Sequence, residues 1–150
     1  MQTPVSQQQI SKQPIEYTGG CFCGYVRYRA LGKPIEVTHC HCSICRRVSG
    51  SPFVTWATFA KTNFSWTNSQ PSRFHSSSKA ERTFCDRCGT ALTFEEIERS
   101  QLIDVTVGSI DQPNDFSPQE HIWTSSRLSW LHLSDGLPEY PQDNPTETKS

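Results

Sequence analysis

Three cysteine-containing segments hold the residues best suited to chemistry in this sequence. The seven cysteines fall into CFCG (21–24), CHCSIC (40–45) and CDRCG (85–89). Cysteines separated by one or two residues can bind the same zinc ion, because a tight turn brings both sulfurs to one side. The odd number of cysteines and their short spacings favour metal ligands or reactive thiols over a disulfide framework.

Glycines indicate which cysteines belong together. The segments CFCG and CDRCG end in Gly24 and Gly89, whereas no glycine follows the last cysteine of the central segment directly. A glycine after the second ligand lets the chain adopt a positive φ and turn tightly, and its amide can then point at a thiolate. We therefore predict one closed, structural zinc site with four ligands: Cys21, Cys23, Cys85 and Cys88.

The central segment then supplies three ligands, Cys40, Cys42 and Cys45. Three protein ligands and an open fourth position are the arrangement of catalytic zinc, and the open position would hold water or an incoming thiolate. Three thiolates on a divalent ion carry a net negative charge. Arg46 and Arg47 follow directly and would offset that charge or bind a substrate carboxylate.

Other assignments of the thiols stay open on the sequence alone. One is a disulfide framework, and another is a single zinc shared by the central segment and CDRCG while CFCG is idle. A third is a fourth ligand from His39 or His41. Each histidine is next to a ligand cysteine, which makes it difficult to aim at the same ion. The periodicity also places His39 on the face of Val37, as expected for a core histidine.

The elements that must position these thiols are mainly short β-strands. The segments YVRYRA (25–30), IEVTH (35–39) and IDVTV (103–107) alternate between two faces. FVTWATF (53–59) is β-branched and aromatic, which is typical of a strand buried on both sides. Ser43 is placed to cap a short helix that ends at Gly50. The pattern predicts a mainly β fold with antiparallel strands and few helical turns.

Length and composition predict one domain over residues 16–141, between a disordered N-terminal tail (1–15) and a flexible C-terminal tail (142–150). The net charge of −1 gives no electrostatic reason to expect nucleic acid or an anionic membrane as a partner. No apolar stretch reaches the roughly 20 residues of a membrane span. The first residues lack the apolar region of a secretory signal. We therefore expect a cytoplasmic protein, in which thiols stay reduced.

Five segments together resemble one family. In chain order they are GGCFCGYVRY (19–28), HCHCSICRRVSGSPFVTW (39–56), RTFCDRCGTALTF (82–94), VGSIDQP (107–113) and HIWTSSRLSWLHLSDGLPEYP (121–141). They resemble the glutathione-dependent formaldehyde-activating enzymes (GFA) and the related centromere protein V domain. The resemblance implies an Mss4-like fold of antiparallel β-sheets. It also implies two zinc ions per chain: a structural one on the CxC and CxxC pairs and a catalytic one on the central CxCxxC.

The resemblance also implies an activity. It predicts a zinc-dependent carbon–sulfur lyase that forms or cleaves thiol adducts of small aldehydes, such as S-hydroxymethylglutathione. The expected partners are a small thiol and a small aldehyde, with the ligands of the second zinc as catalytic residues. Nothing in the sequence specifies glutathione. The alternative is a non-catalytic zinc-binding interaction module that shares the fold. Five residues near the second site are candidate substrate contacts: Arg46, Arg47, Ser49, Gly50 and Ser51.

Overall fold

The computed structural model describes residues 13–146, which form two β-sheets and one α-helix. The strands are β1 (Glu16–Gly20), β2 (Arg27–Leu31), β3 (Glu36–Cys40), β4 (Val54–Ala60), β5 (Phe64–Trp66), β6 (Ser72–Ser77), β7 (Ala80–Phe84), β8 (Ala91–Glu96), β9 (Leu102–Thr106) and β10 (Glu120–Ile122). The helix α1 covers Ser43–Ser49. Short 3₁₀ helices lie at Lys61–Asn63, Ile97–Arg99, Val107–Ser109, Pro113–Asp115 and Thr124–Ser126. Of the predicted tails, residues 1–12 and 147–150 lie outside the described residues.

The smaller sheet has the strand order β1-β2-β5, and the larger has the order β10-β3-β4-β9-β8-β7-β6. All pairings between neighbouring strands are antiparallel except that of β10 with β3. The prediction of a mainly β fold with antiparallel strands and little helix is therefore correct. Because β3 lies between β10 and β4, the backbone of Cys40 at its end pairs with a strand on each side.

The main core includes side chains from both sheets, and strand alternation decides which side chains enter it. Tyr28 of β2 is 1% exposed and packs near the rings of Phe64 and Trp66, at centroid distances of 5.2 and 6.0 Å. From the larger sheet, Ala57 and Phe59 of β4 join the same core. The strand β4 is buried on both faces, as its composition predicts. Ala57 and Phe59 face the main core, and Trp56 and Thr58 are buried on the opposite face.

The strand β1 leads into the first cysteine pair and needs a glycine for close packing. A Cβ on Gly19 would lie 2.3 Å from the hydroxyl oxygen of Tyr28 and 2.6 Å from the carbonyl oxygen of Ser109. The space instead holds the Tyr28 ring, whose hydroxyl forms a 2.7 Å hydrogen bond with the Ser109 hydroxyl. Because Gly19 has no side chain, the Tyr28 ring packs directly against its backbone. This contact fixes the position of the chain just before Cys21.

The N-cap of helix α1 lies one residue earlier than predicted. Cys42 has extended dihedral angles, and its Sγ accepts a hydrogen bond from the Cys45 amide at 3.2 Å, so Cys42 is the N-cap and Ser43 is the first helical residue. Sulfur is a weaker acceptor than the serine hydroxyl, and for this reason the sequence pattern favoured Ser43. The predicted end is correct, since Gly50 caps the helix with φ of 67°.

Candidate metal centres and the adjoining cleft

The structure brings the outer two cysteine segments together. The thiols of Cys21, Cys23, Cys85 and Cys88 lie within 4.8 Å of one another. The Sγ atoms of Cys21 and Cys23 are 3.6 Å apart, and those of Cys23 and Cys85 are 3.8 Å apart. One pair lies in the turn between β1 and β2, and the other lies in the turn between β7 and β8. This first thiol group therefore joins the smaller sheet to the larger one.

The glycines after these pairs turn the chain as predicted, but their amides do not point at the thiols. Gly24 and Gly89 have φ of 79° and 78°. Their N–H groups donate instead to the carbonyl oxygens of Cys21 and Cys85, at 3.1 and 2.8 Å. One N–H that reaches a sulfur of this group belongs to Val26, 3.2 Å from Cys21 Sγ. The amide of a glycine in a turn this tight closes the turn itself, so a residue further on must contact the sulfur.

The second thiol group consists of Cys40, Cys42 and Cys45, which also lie within 4.8 Å of one another. Cys40 ends β3, Cys42 caps α1 and Cys45 is on the first turn of the helix. A strand that leads directly into a helix thus places three sulfurs together within six residues. The Cys40 thiol beside Cys42 holds the pKa of Cys42 well below its usual range, while Cys42 raises the pKa of Cys40. Ionisation of one of these close thiols therefore disfavours ionisation of its neighbour.

A buried arginine contacts this second group. Arg82 of β7 is 4% exposed, and one terminal guanidinium nitrogen lies 3.5 Å from Cys45 Sγ. Its Nε donates to the Ser76 hydroxyl at 3.1 Å, and its guanidinium carbon lies 4.6 Å from the centre of the Phe94 ring. Within residues 13–146, Arg82 forms no ion pair with a carboxylate. A buried cation needs a compensating negative charge. The second thiol group contacts the guanidinium and can supply that charge as thiolate.

The second thiol group lines a cleft of about 330 Å³ on the outer face of the larger sheet. Trp56 and Phe94 form part of the wall. At the other end, Asp104 accepts a hydrogen bond from Thr58, and the Arg99 guanidinium lies 3.9 Å away. Burial raises the pKa of Asp104 to about 6. The cleft thus has a thiol end and an ionic end.

The distance between the two ends follows from β3. Cys40, Thr38 and Glu36 lie on its cleft face and line the cleft in turn. Four residues of extended strand span about 13 Å. Glu36 lies at the ionic end, where its carboxylate is 3.1 Å from Arg99. Among the described residues Asp104 forms its hydrogen bond with Thr58 and none with a thiol, and direct proton transfer would require such contact.

The histidines of the central segment lie away from the thiols. His41 is fully buried, and its Nε2 is 2.9 Å from Nδ1 of His121, whose Nε2 is 2.9 Å from Asp135. His39 forms a 2.8 Å hydrogen bond with Thr55. Burial lowers the pKa of His39 and of His41 to about 4. These are neutral, packed histidines, and neither joins a group of converging ligand atoms in the described chain.

The geometry also bears on the other two alternatives. All seven cysteines are free thiols in the structure, and they form two separate groups. A single ion shared by the central segment and CDRCG would need sulfurs from different groups to converge. The described arrangement instead matches the division of ligands that the glycines indicated. The role of the seven cysteines as zinc ligands stays a prediction.

The structure places the five candidate substrate contacts on helix α1 or directly after it, outside the lining of the cleft. Arg46 donates to the carbonyl oxygen of Ser126 at 3.1 Å, and Arg47 is exposed. Ser49 and Ser51 donate to carbonyl oxygens of Cys45 and Phe53 at 2.8 and 2.7 Å. The fifth candidate, Gly50, is the C-cap.

Sequence reasoning missed Arg82, which is the charged residue that contacts the thiols. It stands first in the segment RTFCDRCGTALTF, three residues before a cysteine of the other thiol group. Its position in sequence therefore suggests the wrong centre. The local signal was weak, because Glu81 precedes Arg82 and Thr83 follows it, so the immediate neighbours do not mark a buried position. Only the pairing of β7 with β6 and β8 turns this side chain toward Cys45.

The two thiol groups fit metal ions by their chemistry. Four sulfurs in one group match the closed set of a structural zinc site, and three in the other match a site with an open position. The buried guanidinium beside the second group is compensated when those sulfurs are thiolates, which is the form that binds metal. The residues present therefore suit metal binding at both places.

Comparisons with known proteins identify the family. The family model of the glutathione-dependent formaldehyde-activating enzymes matches residues 16–126, and the chain belongs to this family. An uncharacterized lyase of Schizosaccharomyces pombe is 38% identical over 79 residues, which are 53% of this chain and 57% of that protein. The match thus spans little more than half the length of this relative. A Halomonas elongata protein, provisionally named a glutathione-dependent formaldehyde-activating enzyme, is 27% identical over 124 residues, 77% of this chain and 79% of its own.

A solved structure has the same fold. The crystal structure of a Rhodobacter sphaeroides protein aligns with a TM-score of 0.53 and 18% identity, and covers 82% of this chain and 98% of that one. At this identity the likeness supports the fold alone. Among the helices of residues 13–146, none has the length and apolar character to cross a bilayer.

Proposed function

We propose that the protein is a zinc-dependent carbon–sulfur lyase of the GFA type, with an Mss4-like fold and two zinc ions per chain. It would form or cleave thiol adducts of small aldehydes, such as S-hydroxymethylglutathione. One observation carries this proposal: three convergent thiols, Cys40, Cys42 and Cys45, line a cleft together with a buried arginine. None of the other four cysteines lines this cleft. The names of the relatives support the same class of reaction.

The two thiol groups would then have different roles. The group Cys21, Cys23, Cys85 and Cys88 would hold a structural ion that joins the sheets, and structural zinc contributes its binding free energy to folding. The group on the cleft would hold the catalytic ion. A zinc ion bound there would lower the pKa of a thiol or polarise an aldehyde oxygen.

The residues of the cleft would bind and orient the substrates. In the adduct-forming direction, the thiol sulfur bonds to the aldehyde carbon and the thiol proton ends on the aldehyde oxygen. The rings of Trp56 and Phe94 would exclude water from this end of the cleft. The length of about 13 Å beyond Cys40 leaves room for a thiol of peptide size. The ionic end, with Glu36, Arg99 and Asp104, would contact polar groups at the far end of such a thiol.

The proposal is tested by measuring the exchange of formaldehyde with thiols. Exchange NMR on the zinc-loaded protein gives the interconversion rate of free thiol and hydroxymethyl adduct, for glutathione, cysteine and 2-mercaptoethanol separately. We expect acceleration by the wild type, none by Cys42→Ala, and full activity in Asp111→Asn, an exposed site away from the cleft. The panel also identifies the preferred thiol.

A wild type that retains two zinc ions and accelerates no exchange in either direction, with any of these thiols, would contradict the lyase assignment. The non-catalytic zinc-binding interaction module would then be the better description. The small thiol, the small aldehyde and the cytoplasmic location all remain part of the proposal.

A further inference from the structure

Arg82 has an unusual environment for a charged side chain. It is 4% exposed, on a central position of the β6–β7–β8 part of the sheet, and it lines the cleft. Its guanidinium lies 4.6 Å from the centre of the Phe94 ring and 5.8 Å from that of Trp56. Aromatic faces attract a cation but do not cancel its charge. Within the described chain no carboxylate forms an ion pair with Arg82. Its guanidinium instead contacts Cys45 Sγ, 3.5 Å away.

The charge of the second centre depends on this arginine. Three thiolates and one divalent cation sum to −1, and Arg82 brings the sum to zero. An incoming thiolate would then meet a neutral centre, whereas without Arg82 it would meet a negative one. Arg46 and Arg47 lie on α1 and do not line the cleft.

We propose that Arg82 is a positioning residue that makes the second thiol centre accept an anionic ligand, the thiolate of the substrate, at its open position. This inference rests on the proposed function. Arg82 acts through charge and through its contact with Cys45, while Trp56, Phe94 and Ser76 hold its guanidinium plane in place. Discrimination between thiolate and a neutral donor such as water then follows from the charge of the second centre together with Arg82.

The test measures ligand binding to the second centre, without turnover. The protein is loaded with cobalt(II), whose absorption reports thiolate ligation, and titrated with 2-mercaptoethanol, which carries no other charged group. The variants are Arg82→Met, which keeps an unbranched apolar side chain without the guanidinium charge, and Arg82→Lys, which keeps the charge. Arg73→Met is the matched control, since Arg73 is on β6 of the same hairpin but is exposed and paired with Glu81.

We expect Arg82→Met to weaken 2-mercaptoethanol binding about tenfold or more, because a unit charge a few ångströms away is lost. Arg82→Lys and Arg73→Met should stay within a few fold of wild type. Equal binding by Arg82→Met and wild type, with the metal retained, would overturn the inference and leave the lyase proposal intact. Binding of 2-mercaptoethanol by Arg82→Lys that is as weak as binding by Arg82→Met would also overturn the inference. A metal-loaded wild type that binds no thiol would overturn both.

A second measurement needs no variant and decides the matter if Arg82→Met fails to fold. Thiocyanate and imidazole, one anionic and one neutral, compete with 2-mercaptoethanol on the wild type. The ratio of thiocyanate affinity to imidazole affinity should be higher by about tenfold or more at a neutral centre with an adjacent guanidinium than in a small three-thiolate cobalt complex. The same relative preference as in that complex would show that Arg82 does not select for charge.

Discussion

Replacing Asp104 by asparagine should change how the stability of the protein depends on pH. Burial raises the pKa of this carboxyl from 3.8 to about 6, although Thr58 and Arg99 favour its charged form. The folded protein thus holds the Asp104 proton more tightly than the unfolded chain does. The resulting stabilisation is fully present below the unfolded pKa of 3.8 and is lost as the pH rises through 6.

The size of the effect follows from the shift. A difference of about two pKa units corresponds to about 3 kcal/mol, and linkage places roughly half of it between pH 5 and pH 7. Asp104→Asn removes the titration. The free energy of unfolding of Asp104→Asn minus that of wild type should therefore increase by about 1 kcal/mol from pH 5 to pH 7.

The assay is urea denaturation of the zinc-loaded proteins at both pH values. Protonation of the other groups affects both proteins and cancels in the difference. Asp111→Asn is the matched control, because the hydrogen bond from Arg27 holds the pKa of Asp111 below its usual range. The Asp111 stabilisation is lost only at acid pH, so its difference should be flat from pH 5 to pH 7. A flat or falling difference for Asp104→Asn would refute the account of a buried, destabilised carboxylate.

Two further changes test the packing that positions the thiols. Gly19→Ala should lower the free energy of unfolding by about 3 kcal/mol or prevent folding, because its Cβ would overlap the Tyr28 hydroxyl. In the control Gly108→Ala the added Cβ meets no atom within 4 Å, so the loss should be less than about 1 kcal/mol. Thermal melts measure both losses. Equal losses would contradict the packing role of Gly19. Thr83→Val should cost about 1 to 3 kcal/mol, since it strands the buried Thr93 hydroxyl 2.6 Å away, and adding Thr93→Val should recover part of the loss. Strictly additive losses in urea denaturation would show that the pair is not coupled.

The strands and the helix end could be predicted from the sequence because they depend on local patterns. Val26, Tyr28 and Ala30 alternate in the sequence and are buried on one face in the structure. The two thiol groups could be separated because Gly24 and Gly89 mark the same kind of turn. These features are local, or they repeat in recognisable form.

The charge and the cleft of the second centre could not be predicted, because they depend on strand order. Arg82 contacts Cys45 although 37 residues separate them, and Asp104 meets Thr58 only through the pairing of β9 with β4. Sequence proximity favoured Arg46, whose side chain instead donates to Ser126. The Cys42 cap was missed because sulfur is rarely the preferred acceptor at that position.

The most direct test of the whole account is the number of zinc ions per chain in wild type, Cys42→Ser and Cys88→Ser, each purified without oxygen and followed by circular dichroism. We predict two ions in wild type, one ion with the fold retained in Cys42→Ser, and loss of much of the fold in Cys88→Ser, because structural zinc contributes to folding. One ion in wild type even after zinc is added back, or a Cys42→Ser that unfolds as badly as Cys88→Ser, would contradict the division into a structural and a catalytic centre.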